Sequence, residues 1–209
     1  MKKLVCLFAL LASVPEFGAV SAEPLNEPDR DRILSELQAS RKQFLDSIAG
    51  LSPAQWTYKA GPDRWSIAEV SEHIVAAEGY IGGMMMTYVL KSKPDAAKAA
   101  ARLPMNSKID EKVLVQLRDR SVKATAPGEI TPKGIYKTPQ EAVAAFEAAR
   151  EKTVAFVKDT HEALREHFFE PFPGSELDGV QGFLFLCGHN ERHVEQIEEV
   201  KQSLGYPKN

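Results

Sequence analysis

Two cysteines in 209 residues, no cluster of basic side chains and no stretch of regularly alternating polarity set the first limits on this chain. Cys6 falls in a leader-like start, so the chain that follows keeps only Cys187 and cannot form an internal disulfide even in an oxidising compartment. Stability must come from packing. The formal charge is −3, moving to −4 once Lys2, Lys3 and Glu16 are removed with that start. A mild negative balance without basic patches offers nothing to phosphate backbones or anionic lipid, which excludes nucleic acid as an expected partner. The unbroken apolar run Leu4 to Ala12 is too short to span a bilayer, so no stable membrane anchor is expected. Strand signals are missing, and with them the sandwich, barrel and parallel-sheet classes.

What is present begins with an address. Lys2 and Lys3, the apolar run, Pro15 and the small residues Val20-Ser21-Ala22 have the order of a secretory signal peptide, with cleavage after Ala22. An exported chain, periplasmic or secreted, is the expectation, with one domain over residues 23–209. The polar stretch Glu23 to Pro28 reads as a flexible lead-in.

Helical periodicity follows. Ile33, Leu37, Phe44, Ile48 and Leu51 recur at threes and fours from about Asp31, giving helix one. Ser52-Pro53-Ala54-Gln55 has capping-box order and predicts a short turn that carries Trp56 inward. Ser66-Ile67-Ala68-Glu69 is a second such box, opening helix two, whose stripe is Ile67, Val70, Ile74, Ala77, Ile81 and Met84, with His73 on its inward margin. Gly82-Gly83 within it calls for close packing or a bend. Lys91 to Lys137 reads as a long connection with one helical pattern from about Ser107 to Arg120. Thr138-Pro139-Gln140-Glu141 starts helix three, marked by Val143, Phe146, Thr153 and Val157 and running raggedly towards Leu164. Helix four begins near Asp178 and aligns Phe185, Leu186, His189, His193, Ile197, Val200 and Leu204. The fold class is all-α: four antiparallel-packing helices with a long connection between the second and third.

His189 and His193 stand four residues apart, so their imidazoles leave one helical face a turn apart, as metal ligands do. Two ligands do not complete a site, and buried histidines also serve as plain core residues. Glu191 points about 200° away from His189 and is not assigned as a general base; this is not the zincin pattern. Cys187 lies on the far side of the helix and reads as core. Gln196, three residues after His193, is on the right face to orient a ligand. His161 and His167 read as solvated surface. Met84, Met85 and Met86 fan out at 100° steps, so they read as packing rather than as a copper site. Trp56 and Trp65 read as anchors at the bundle cap, with a pocket lining as the alternative.

The segments RWSIAEVSEHI, PKGIYKTPQEAVAAFEAAR and GSELDGVQGFLFLCGHNERHVEQI, in that order and at these separations, resemble the DinB-like metalloenzyme family from about Asp31 to Leu204. That resemblance implies a four-helix bundle, a variant of up-and-down topology. It implies a divalent metal held by one histidine of the second helix and two of the fourth, here His73, His189 and His193. Zinc or nickel would be the first expectation for the ion, manganese or iron the alternatives. A small-molecule substrate or thiol is the implied partner. Relatives of this kind include metal-dependent transferases of bacillithiol, mycothiol or glutathione, thiol-dependent isomerases and hydrolases. Three readings follow: a metal-dependent hydrolase, favoured because an exported protein has no assured thiol supply; a thiol S-transferase or thiol-dependent isomerase; and a non-catalytic metal- or ligand-binding module. Oligomeric state is not legible in the sequence.

Overall fold

The computed structural model describes residues 24–87, 89–121 and 125–208. The leader expected over residues 1–22 lies outside them.

Four long helices form the bundle: α1 (Glu27–Ile48), α3 (Ile67–Thr87), α6 (Pro139–Asp159) and α7 (Gly179–Lys201). The short α2 (Pro53–Thr57) links the first two, and α4 (Ala96–Arg102) and α5 (Asn106–Arg118) lie in the long connection. None of the described helices is long and apolar enough to cross a membrane.

The helix starts follow from side chains that satisfy free backbone N–H groups. At α2, Ser52 and Gln55 cap each other reciprocally, and Ser66 and Glu69 do the same at the start of α3. Helix α1 starts earlier than the periodicity suggested. Asn26 caps it, Pro28 sits in its first turn, and the Leu25 N–H is bonded to the Glu162 carbonyl at 3.1 Å, so the lead-in is tied down rather than free. Helix α6 stops at Asp159, and a separate 3₁₀ turn, Leu164–Glu166, follows. Phe168–Phe169 pairs antiparallel with Leu177–Asp178, a two-residue ladder too short to produce a strand pattern in the sequence. Leu204, placed on the core stripe of helix four by its spacing, is fully exposed because α7 has ended at Lys201.

Around the bundle, α1 packs on α7, α7 on α3, α3 on α6, and α6 on α1. The diagonals are therefore α1 with α3 and α6 with α7. Direction can be read from the contacts. Glu78 meets Arg150 and Gly82 lies against Thr153, so α3 and α6 run the same way. Arg30 reaches the Val157 carbonyl and Arg41 pairs with Glu147, so α1 opposes α6. His73 faces His193 while Gly182 lies against Met85, so α3 opposes α7. Asp29 shares Arg165 with Asp178, and Gln43 lines a cleft with Glu191 and Glu195, so α1 and α7 are parallel. Antiparallel packing thus holds for two neighbouring pairs and fails for the other two.

That arrangement explains the long connection. Two parallel neighbours, α3 and α6, can be joined only by a return path along the bundle. Helix α5 is that path: Asp110 contacts Gln181, Leu117 lies over Gly188 and Arg118 pairs with Glu191, so it climbs alongside α7. The chain then delivers Ile130 to the level of His73.

Two apolar clusters fill the interior. One holds Phe44, Trp56, Ile67, Ile74, Phe146 and Ile197; the other includes Leu37, Ile81, Met85, Phe183 and Leu186. Gly82 is where a Cβ would stand 3.1 Å from Thr153 Oγ1, the close helix approach expected at Gly82-Gly83. Trp56 is buried in the core as expected, and so is Cys187, whose thiol is pushed up to about 12 by burial.

Candidate metal centre

His73 enters from the second turn of α3, and His189 and His193 from consecutive turns of α7. Their ligand-capable atoms all lie within 4.8 Å of one another. His73 Nε2 is 3.2 Å from His189 Nε2 and 3.1 Å from His193 Nε2. Nitrogens bound tetrahedrally at about 2.0–2.1 Å from one ion stand roughly 3.4 Å apart, close to this spacing.

The outer nitrogens settle which inner ones carry lone pairs. His73 Nδ1 is 2.8 Å from the Ile130 carbonyl oxygen, which can only accept, so Nδ1 is the protonated atom. His193 Nδ1 is 2.8 Å from Gln196 Oε1, and that oxygen also accepts from Arg120 Nη1 at 3.4 Å, which fixes the amide's orientation. Both rings therefore turn an Nε2 lone pair towards the other at 3.1 Å, an arrangement with no hydrogen bond of its own. A shared cation resolves it. A proton is a poor candidate at neutral pH. Burial first, then the His73 ring, pushes His193 down to about 3. Burial first, then His193 and His73, holds His189 well below its ordinary value. Burial lowers His73 too, partly offset by its bond to Ile130. Neutral imidazoles turned Nε2-inward are the protonation state a divalent metal requires, and these residues fit one.

The surroundings hold that geometry. Glu72, 4% exposed, directs its carboxylate at three successive backbone N–H groups, those of Lys133, Gly134 and Ile135, at 2.6, 2.8 and 2.9 Å. Gly134, at φ +74°, takes the left-handed conformation that lets these amides converge. Glu72 and His73 together pin the end of the connection to α3, one through the loop amides and the other through Ile130. The Trp65 ring lies 5.1 Å from that of His73 and packs against the apolar cluster that holds Trp56 and Ile67.

Several residues stand apart from the centre. Glu191 is buried and paired with Arg118 at 2.5 Å, facing α5, as its angle predicted. His161 is exposed as expected, but His167 is not the surface residue its charged neighbours suggested. It is 4% exposed, with Nδ1 3.1 Å from Ser92 Oγ, because the connection folds back over it. A polar cleft of about 370 Å³, lined by Gln43, Arg118, Arg120, Glu191, Glu195 and Glu199, lies on the α1 side of α7. Arg120 joins it to the histidines through Gln196.

Sequence reasoning missed the Ile130 carbonyl, the Glu72 clamp and a buried ion pair, Glu78–Arg150, behind the histidines. Backbone acceptors leave no residue-type signal. The ion pair did leave one: Glu78 and Arg150 each interrupt an otherwise apolar stripe, on α3 and α6.

The DinB superfamily profile matches residues 36–197. An uncharacterised Bacillus subtilis protein, YuaE, is 25% identical over 175 residues, covering 82% of this chain and 98% of its own length. The solved structure of YfiT, also from Bacillus subtilis, superposes with a TM-score of 0.52 at 12% identity, covering 88% of this chain and 93% of that one. YfiT is described as a probable metal-dependent hydrolase with an unusual four-helix bundle topology.

Proposed function

The chain belongs to the DinB superfamily, and on that premise we propose that it is an exported divalent-metal enzyme of hydrolytic type, acting on a small molecule. The observation that carries this reading is the convergence of three imidazoles whose inner nitrogens are 3.1 and 3.2 Å apart, two of them fixed as lone-pair donors. A divalent ion bound there supplies Lewis acidity, polarising a carbonyl or phosphoryl oxygen and bringing the pKa of coordinated water towards about 7. The chain's own part is orientation. Ile130 and Gln196 hold two rings with their Nε2 atoms inward, and neutral ligands leave the ion its full charge. Trp65 packs its ring beside that of His73. The description of YfiT supports hydrolysis, as does the export expected from residues 1–22, since thiol supply is not assured outside the cytoplasm.

A specific observation favours a second reading, a non-catalytic binding module. Glu72, beside His73, is committed to three loop amides, and Glu191, between His189 and His193, to Arg118.

Metal analysis of untagged protein purified from its native compartment tests the centre. About one divalent ion per chain is expected, and it should be lost in His189→Ala and His193→Ala; metal content unchanged by both substitutions rules the site out. Model esters and phosphoesters, alongside thiols with a model electrophile, then test the reaction. Metal-dependent ester or phosphoester turnover supports hydrolysis. Thiol transfer above the uncatalysed rate overturns it in favour of a transferase, and no turnover of either kind favours the binding module.

A further inference from the structure

Behind the histidines, in the middle of the bundle, Glu78 and Arg150 form an ion pair with both side chains 0% exposed. Arg150 donates to Glu78 through Nε and Nη2, each at 2.8 Å, and Thr153 adds its hydroxyl at 3.2 Å. Arg150 is held from the other side by the Leu37 carbonyl and Ser40 Oγ. The remaining donor to Glu78 is Asn190 Nδ2, at 3.1 Å from Oε2. Facing an arginine and two other donors, this carboxylate acts only as an acceptor. The Asn190 amide is therefore fixed with its nitrogen towards Glu78 and its oxygen turned away.

That oxygen is buried and closes no hydrogen bond, and so is Nδ1 of His189, the preceding residue. One is an acceptor, the other a nitrogen able to donate, and an unpaired buried polar atom of either kind is costly. The other two imidazoles each have an acceptor on Nδ1, Ile130 O and Gln196 Oε1. His189 lacks one until its ring turns towards Asn190.

We propose that Asn190 is the positioning residue of His189: with metal bound, it accepts the His189 Nδ1–H, and the Glu78–Arg150 pair holds its amide for that purpose. This rests on the metal reading above. All three rings then present Nε2 to one ion with Nδ1 protonated. The ion pair gains a role beyond packing, since it selects which face of the amide meets the ligand.

The test uses Zn²⁺ alone, by competition with a chromophoric chelator, with thermal stability measured on the same samples. Asn190→Leu should weaken Zn²⁺ binding by roughly 10- to 100-fold, the usual effect of losing a ligand-orienting partner. Thr153→Val removes a different donor from the same carboxylate, so it should lower stability while leaving the Kd within about threefold. Asn190→Asp keeps an acceptor beside His189 but sets a like charge against Glu78; it should lose stability and retain most of the affinity. If Asn190→Leu does not fold, ¹⁵N NMR of the zinc-loaded wild-type imidazoles carries the test, with His189 expected to be protonated at Nδ1. Equal Kd values for Asn190→Leu and Thr153→Val, or a His189 protonated at Nε2, overturn the inference while the metal centre stands. A wild-type chain that binds no Zn²⁺ overturns the metal reading and this inference together.

Discussion

Replacing Glu72 by alanine separates the stability of the bundle from the order of its metal centre. The carboxylate receives three backbone N–H groups at 2.6, 2.8 and 2.9 Å. Hydrogen bonds to a charged group contribute about 1.5–3 kcal/mol each when their loss leaves the partner unsatisfied. Lys133, Gly134 and Ile135 are exposed, however, so their amides rehydrate when the carboxylate goes, and the net cost falls to about 1–3 kcal/mol. Against a total stability of about 5–15 kcal/mol the bundle survives. The loop does not. Once released, Ile130 no longer holds its carbonyl 2.8 Å from His73 Nδ1. Hydrogen exchange should show the amides of residues 130–136 losing protection in Glu72→Ala while those of α1 and α6 keep theirs. Zn²⁺ affinity should fall by roughly tenfold or more, the effect of removing a ligand's outer partner. Glu72→Gln, which keeps one accepting oxygen, should fall between. A folded Glu72→Ala protein with unchanged exchange over 130–136 and a Zn²⁺ Kd within twofold of wild type would refute the clamp.

The Glu78–Arg150 pair gives a sharper stability effect. Arg150→Met leaves a buried carboxylate with only Thr153 and Asn190, at a cost of about 3–5 kcal/mol, whereas adding Glu78→Leu should restore much of it. Urea unfolding of the four proteins measures this, and a double variant as unstable as the sum of its singles counts against the pairing. Asp178 gives a pH effect. Burial lifts its carboxyl to about 6 against the attraction of Arg165. The folded chain therefore binds a proton between roughly pH 4 and 6 that the unfolded chain has released, and this group's share of stability, up to about 3 kcal/mol, is present below pH 4 and lost as pH rises through 6. Asp178→Asn keeps the helix cap without the titration, so it should gain on wild type across that window; a constant difference would contradict the shift.

The fold was legible wherever its cause was local. Capping residues Ser52, Ser66, Thr138 and Asp178 and the apolar stripes of α3 and α7 placed the helices, because caps and periodicity are properties of short segments. The directions of the helices were not legible. That α3 runs parallel to α6 depends on a return path through α5, which no segment announces on its own. The candidate site divides the same way. His189 and His193 declare themselves by spacing, and Gln196 follows from the same helix. His73 needed the family resemblance, and its acceptor on Ile130 arrives from 57 residues away. His167 was misjudged because charged neighbours in sequence say nothing about a connection that folds over it.

The histidines that converge are separated by 116 and 120 residues, and the last of them lies on the final helix. A growing or threading chain therefore has no metal centre until α7 docks, however long α3 has been available. Binding the ion and completing the fold become a single late event. If the proposed export holds and the chain crosses the membrane unfolded, its metal would be chosen by the ions of the compartment in which it folds rather than those of the compartment in which it is made.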